Sequence, residues 1–454
     1  MRPFCFEVAL QRITPSRVAK LAGMRKLAVL LLFVAVSAGA QTVTLLHFSD
    51  YHSQAVPFYG ERGPDQGGIA RAIQYLRREK SRGALVFSGG DTINKGSPAW
   101  SDKYGCAEWP WLNGIVDAMA FGNHDADYGL ETFEKCRASV RYPILSANTP
   151  GFARYVVLKA KGKKIGVFAL AGSDFTRLVH VAGLTFGDPV AAAREVVRDL
   201  REKEHADAIV MIGHEQAEDD YALARAVPGI NLIFGSHSHL ERDLTQIPGT
   251  STWFISPFQY LSFISRVEMT FNRNAISIRG GLVPVDSKMK ADPAIAKKVG
   301  AMQRELEREQ PDLFTPIAKL DAPLMTTDLA NRTLEIMREV ASANFAMSTV
   351  SSYRRPLPSG TITMELLRAA MPYDNEIVVC TMSGAEFKRL LEENQRRDGS
   401  DSELFIAGKA VIVDDRTYRV AATDYVANIA YRDFFKCDVE KTGKKVRDEF
   451  RKRL

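Results

Sequence analysis

An α/β layered domain followed by a second, smaller unit is the fold this chain predicts, and three observations carry it. Five short apolar runs, at 42–48, 84–88, 117–121, 208–212 and 231–234, each end abruptly in a cluster of Gly, Ser, Asp, Asn or His. Stretches with helical spacing of apolar residues lie between the runs, so strand, loop, helix, strand is the recurrent grammar. After about residue 285 the texture changes to a highly charged amphipathic helix and then a fresh set of strands and helices. Short strands alternating with helices indicate layers of helix on sheet, and 454 residues exceed what one ordinary core uses.

The first forty residues stand apart. Met24-Arg25-Lys26, the apolar run 27–36 and the small residues Ala38-Gly39-Ala40 have the three regions of a secretory signal, with cleavage expected after Ala40 and Met24 the expected start. The apolar run is too short for a lasting transmembrane anchor. Six of the 60 Lys and Arg and one of the 54 acids fall in this leader, leaving 54 basic and 53 acidic residues, a net of +1. The mature chain therefore carries no global field for a nucleic acid polymer or a membrane surface. Cys106, Cys136, Cys380 and Cys437 remain after the leader, without metal-type spacing. Two bridges, Cys106–Cys136 and Cys380–Cys437, or four free thiols both fit.

Along the mature chain, 42–48 alternates as a strand, 51–65 is a loop, and 67–80 is helical with Ile69, Ile73 and Leu76 on one face. Strands follow at 84–88, 117–121 and 164–171. Asp188-Pro189 opens a helix to about Glu204, with an acid as cap and Pro in the first turn. Asp292-Pro293 starts a helix whose Ile295, Val299, Met302 and Leu306 are spaced four, three and four, read as a solvated linker. Beyond it the pattern predicts a helix at 329–345, a Pro/Gly-rich loop at 355–360, a strand at 376–381, a helix at 385–394, and strands at 410–413 and 418–422. The division is thus 1–40 leader, 41–285 first domain, 286–315 linker helix and 316–454 second domain.

The strand ends bring Asp50, His52, Asp91, Asn123, His214, His237 and His239 to what reads as one sheet edge, where open α/β folds bind ligands. This is the composition of a two-metal site. Two divalent ions about 3.5–4 Å apart need a shared carboxylate and positions left open for water and substrate. Asp50 and His52, on alternate residues, suit one ion, and Asp91 is the natural bridge. Asn123 and His214 complete the second ion, while His237 and His239 serve one ion each. His47 is assigned to packing, His180 and His205 to the surface, and Lys95 and Asp127 to supporting or solvated positions. Mixed nitrogen and oxygen ligation suits Zn, Mn, Co or Fe.

At these residues the sequence resembles the calcineurin-like metallophosphoesterases, and within them the secreted 5'-nucleotidase family that includes bacterial UDP-sugar hydrolases. The stretches that match are Leu46-His47-Phe48-Ser49-Asp50-Tyr51-His52, Gly90-Asp91-Thr92-Ile93-Asn94, Gly122-Asn123-His124-Asp125, Leu145-Ser146-Ala147-Asn148 and Gly235-Ser236-His237-Ser238-His239. They come in the family's order over residues 41 to 280. The resemblance implies a four-layer αββα catalytic domain followed by a smaller α+β substrate-binding domain, and a two-metal centre. Its ligand sets would be Asp50, His52, Asp91 and His239 for one ion, and Asp91, Asn123, His214 and His237 for the other. It further implies a catalytic pair in which His124 assists phosphate and Asp125 orients His124.

In the second domain the resemblance places Arg354, Tyr373, Asn375, Gly408 and Tyr425 at substrate-binding positions, the two tyrosines as stacking faces. The glycine-rich stretch before Arg354 is replaced by Val350-Ser351-Ser352-Tyr353, and the acid that would hold ribose hydroxyls by Ile429-Ala430-Tyr431. The expected function is an exported, periplasmic or secreted, metal-dependent hydrolase of small phosphate esters of nucleotides or related derivatives. Alternatives are the same fold acting on a non-nucleotide or sulfur-linked substrate, and a non-catalytic binding protein.

Overall fold

Strand Gln41–Phe48 is buried on both faces, which is why it reads as a nearly continuous apolar run. In the computed structural model, which describes residues 41–454 apart from 97, 274, 398–401 and 409, this strand lies inside a six-stranded sheet. It pairs antiparallel with Phe263–Phe271, from Gln41 opposite Phe271 to His47 opposite Ser265, and parallel with Leu85–Ser88. Ala118–Ala120 and Ile144–Leu145 extend the parallel part, and Ile276–Pro284 closes the other edge. A second six-stranded sheet runs in the order Glu241–Gln246, Trp253–Pro257, Leu232–Phe234, Ala208–Met211, Lys163–Phe168 and Tyr155–Ala160. The leader expected over 1–40 lies outside the described residues.

The two sheets pack face to face. Val43, Leu45, Phe87 and Ala120 of the first share one core with Val167, Val210, Phe234 and Ile255 of the second. On the outer face of the first sheet, Ile73 and Leu76 of helix Ile69–Ser81 pack with Leu46, Phe48 and Val86. On the outer face of the second, Val196 and Leu200 of helix Pro189–Glu202 and Leu223 of helix Ala217–Ala226 pack with Phe168, Ile209 and Ile233. Helix, sheet, sheet, helix is the four-layer αββα order. Asp188 caps its helix as expected, accepting from the Ala191 N–H.

Helix Pro293–Glu309 is not solvated along its apolar stripe. Asp292 caps it, accepting from the Ala294 and Ile295 N–H groups at 3.0 Å and pairing with Arg77, and Val299 and Leu306 are buried against the first core. A five-stranded sheet follows, ordered Leu404–Ala407, Phe345–Thr349, Thr417–Thr423, Glu376–Ser383 and Glu440–Lys445. Helix Thr326–Val340 and the terminal Val446–Arg451 cover one face, and helix Gly384–Arg396, opened by a Ser383/Glu386 capping box, covers the other.

Two local expectations differ. The helix predicted to reach Phe345 ends at Val340, because Ser342 turns left-handed at φ 47° and Phe345 enters a buried strand. Residues 410–413 are not a strand: Val411 is 83% exposed, and the edge is taken by Leu404–Ala407, which pairs with Phe345–Thr349. Both candidate disulfides are formed, Cys106–Cys136 and Cys380–Cys437, each with Cα atoms 5.8 Å apart. No helix among the described residues is long and apolar enough to cross a membrane.

Candidate metal centre and active site

The seven ligand candidates come from the ends of two sheets, not from one edge. Asp50 and His52, Asp91, and Asn123 follow strands of the first sheet, whereas His214, His237 and His239 follow strands of the second. Periodicity cannot tell which strands share a sheet; the shared core between the sheets sets their ends side by side. Backbone bonds tie the ends together: Asp50 N–H donates to Gly90 O and His52 N–H to Asp91 O, and the His237 N–H points at the Asp50 carboxylate 3.2 Å away. His214 Nδ1 lies 2.6 Å from Gly89 O, joining the second sheet to the first.

The chain is strained where the ligands sit. Asp50, His52, Asp91, His237 and His239 have φ between 47° and 61°, a left-handed conformation that costs an L-residue about 1–2 kcal/mol. Asp50 and His52 therefore meet through a curled segment rather than an extended strand end. Tyr51 between them turns into the core, where its hydroxyl donates to Glu108 Oε1 at 3.1 Å. Gly122 has a steric reason: a Cβ there would lie 2.2 Å from Asp91 N and 2.3 Å from Asp91 Oδ1. Only glycine lets the two ligand loops touch.

The donor atoms converge in two sets, Asp50–His52–His239 and Asp91–His214–His237, each within 4.8 Å. His239 Nε2 is 3.0 Å from His52 Nε2 and 3.3 Å from Asp50 Oδ1. His214 Nε2 is 3.2 Å from both Asp91 Oδ2 and the Asn123 amide oxygen. Asp91 Oδ2 is also 3.9 Å from His52 Nε2, so this carboxylate lies between the sets. Burial pushes His52 well below its ordinary range, keeping an imidazole lone pair. Burial would raise Asp91, but His214, His124 and His52 outweigh it and hold the carboxyl well below its usual range. Buried carboxylates interleaved with imidazoles fit divalent metal ions.

Asp125 does not orient His124. Its carboxylate accepts from the N–H groups of Asp91, Thr92 and Gly122 and from the Thr92 hydroxyl, stitching the two ligand loops together. Burial, and then the Asp91 charge, raise it to about 7. The partner of His124 is Asp127, whose Oδ2 lies 2.8 Å from Nδ1. Residues 124–127 form a turn closed by Asp127 N–H to His124 O, which puts residues three apart on one side. Burial opposes protonation of His124, yet Asp127 and Asp91 raise it to about 10.

The model of the calcineurin-like phosphoesterases matches residues 43–241, and that of the 5'-nucleotidase C-terminal domain matches residues 315–414. The chain joins a calcineurin-like phosphoesterase domain to a 5'-nucleotidase C-terminal domain. It is similar to the protein UshA of Yersinia enterocolitica, 24% identical over 473 residues, with 85% of each chain covered. It is also similar to a 5'-nucleotidase of Vibrio cholerae, 25% identical over 473 residues, covering 85% of this chain and 84% of that one. The solved 5'-nucleotidase precursor of Thermus thermophilus shares the fold with TM-score 0.73 at 20% identity, over 91% of this chain and 96% of that one. The sulfate thiohydrolase SoxB of the same organism does so with TM-score 0.67 at 21% identity, over 90% and 94%. The chemistry is that of a metal-dependent phosphoric ester hydrolase.

The nucleotidase C-terminal domain faces the phosphoesterase centre across a pocket of about 220 Å³ that His124, His239, Arg354, Tyr373, Asn375 and Tyr425 all line. Arg354 is 6% exposed; its Nη1 reaches His239, and its Nη2 donates to Tyr373 Oη at 2.7 Å. Gly408 is not among the lining residues. It sits at φ 142°, where a Cβ would lie 2.2 Å from the Phe345 ring, so its need for glycine is packing. Tyr431, at the position of the missing ribose-holding acid, is buried, its hydroxyl donating to Asn394 and the Ser402 carbonyl.

Sequence reasoning passed over three further residues. Asp174 Oδ2 lies 3.0 Å from His237 Nε2 and accepts from Gln216, and Arg177 lines the pocket. Burial would raise Asp174, but His237 outweighs it and holds the carboxyl below its usual range. Asp174 thus helps fix the orientation of the His237 ring. The signal was present: strand Lys163–Phe168 continues apolar to Ala171 and then breaks into Gly172-Ser173-Asp174, the same grammar as the other strand ends.

Proposed function

We propose that this chain is an exported two-metal phosphohydrolase acting on nucleotides or related nucleotide derivatives. The observation that carries the reading is the pair of buried donor sets meeting at Asp91, with His124 and Arg354 on the walls of the same pocket. Asp50, His52, Asp91 and His239 would hold one ion, and Asp91, Asn123, His214 and His237 the other. The ions, when bound, lower the pKa of water and offset charge building on phosphoryl oxygens.

The chain's own residues do the rest. Asp127 holds His124 by Nδ1, which leaves Nε2 to meet the phosphoryl group or the leaving oxygen. Arg354 supplies a fixed cation for a phosphoryl oxygen. Tyr425 and Asn375 line the same pocket for the leaving nucleoside. With Tyr431 at the position where the family carries its ribose-holding acid, discrimination between ribo- and deoxyribonucleotides is expected to be weak. Two disulfides support export, because they persist in oxidising compartments.

Purified protein assayed for bound metals and for phosphate release from nucleotides, cyclic nucleotides, nucleotide diphosphate sugars and aryl phosphates tests the reading. Two ions per chain and turnover of nucleotides are expected. Turnover of aryl phosphates alone would overturn the nucleotide assignment, and a protein that binds no metal would overturn the centre.

A further inference from the structure

The place of Tyr373 in the second domain suggests a ring for stacking, but its hydroxyl is bonded to the Arg354 guanidinium. Arg354 Nη2 donates to Tyr373 Oη at 2.7 Å, and the guanidinium carbon lies 5.7 Å from the ring centroid. The other terminal nitrogen of the same guanidinium is 3.2 Å from His239 Nε2, in the first donor set. One arginine thus spans from a metal-type histidine to the phenol. Tyr373, Arg354 and His124 line one pocket together with Asp91 and Asn123.

A phenol oxygen that accepts from a guanidinium keeps its own O–H to donate. We propose that Tyr373 is a catalytic residue whose Oη–H donates to a non-bridging phosphoryl oxygen of the substrate, beside Arg354 in the pocket that His124 also lines. This rests on the phosphohydrolase reading above and adds a donor to it. A hydrogen bond to an anionic oxygen strengthens as charge builds there, so it favours the transition state over the bound ester. Its effect belongs to the transferred phosphoryl group and is therefore the same for any leaving group. A stacking ring behaves oppositely, since it acts only on a leaving group that has a plane to stack.

Tyr373→Phe separates the two because it keeps the ring and removes the hydroxyl. We expect kcat/KM to fall about 10- to 100-fold on both p-nitrophenyl phosphate and adenosine 5'-monophosphate, with the loss mainly in kcat and with metal content unchanged. Calorimetric titration with inorganic phosphate on the metal-loaded protein should show weaker binding by about tenfold, a readout that needs no turnover. Wild-type kinetics and phosphate affinity in Tyr373→Phe would overturn the proposal. So would a loss confined to the nucleotide. If the parent protein cleaves aryl phosphate but no nucleotide, the nucleotide assignment fails while p-nitrophenyl phosphate still decides the role of Tyr373. If it cleaves neither, the phosphate titration decides it.

Discussion

Glu108 lies beneath the metal-type residues and makes the stability of the first domain depend on pH. The residue is 1% exposed, and its carboxyl accepts from the Tyr51 hydroxyl and from Trp100 Nε1. Burial raises it from 4.5 to about 7, the bonds from Trp100 and Tyr51 pulling it only part of the way back. The folded chain therefore keeps this proton up to about pH 7, whereas the unfolded chain releases it near 4.5. Between those values the unfolded state binds fewer protons, so stability falls as pH rises. A shift from 4.5 to about 7, at 1.36 kcal/mol per pH unit, amounts to roughly 3 kcal/mol.

Glu108→Gln keeps an acceptor oxygen for Tyr51 and Trp100 and removes the titration. Urea unfolding of the metal-loaded wild type and variant at pH 4.5, 6, 7 and 8 should show the variant gaining about 3 kcal/mol on the wild type across the series. Comparing the two proteins at each pH cancels the other carboxylates and histidines, which titrate in both. A difference that stays flat with pH, or a variant that loses ground as pH rises, would refute the reasoning.

Asp91→Asn should lower the affinity for at least one ion and cut phosphatase activity by orders of magnitude with the fold retained; two ions with near-normal turnover would remove its bridging role. Asp127→Asn should leave metal content intact and reduce kcat by roughly 10²–10⁴, because His124 loses the carboxylate that fixes its tautomer. Asp125→Asn should instead weaken folding and metal retention, since four donors converge on that carboxylate; reversed phenotypes for these two acids would mean Asp125 serves His124 after all. Replacing Cys106 and Cys136 by Ser opens a loop of 30 residues and should cost about 3.6 kcal/mol of stability in denaturant titrations. Loss of less than about 1 kcal/mol would mean that the reduced chain is already constrained there.

Much of the site was legible as composition. A buried strand must end where the chain turns, and polar ligand-type residues at five such ends stand out against apolar runs. The metal-type residues, the cap at Asp188 and the alternation of strand and helix are all local properties, so the chain order carried them. The pairing of Asp125 with His124 came from the family resemblance, and the structure differs because the residues form a turn: the bond from Asp127 N–H to His124 O sets residue three beside residue zero. The strand expected at 410–413 failed for a related reason, since two neighbouring apolar runs compete for one sheet edge and only packing against Phe345–Thr349 chooses between them.

By itself, then, the amino-acid order determined which residues could bind metal and which segments could be strands or helices, because both follow from side-chain chemistry and from periods of two and 3.6 residues. Tertiary structure alone decided that the ligands come from two sheets. It also decided that Asp174 holds His237, that the Gly408 backbone serves packing against Phe345, and that the Tyr373 hydroxyl meets Arg354. Each is a contact between groups far apart in the chain, fixed by how the layers pack. No local pattern encodes contacts between residues 19 or 63 apart in the chain; the shared core between the sheets, and the docking of the second domain over their ends, set them.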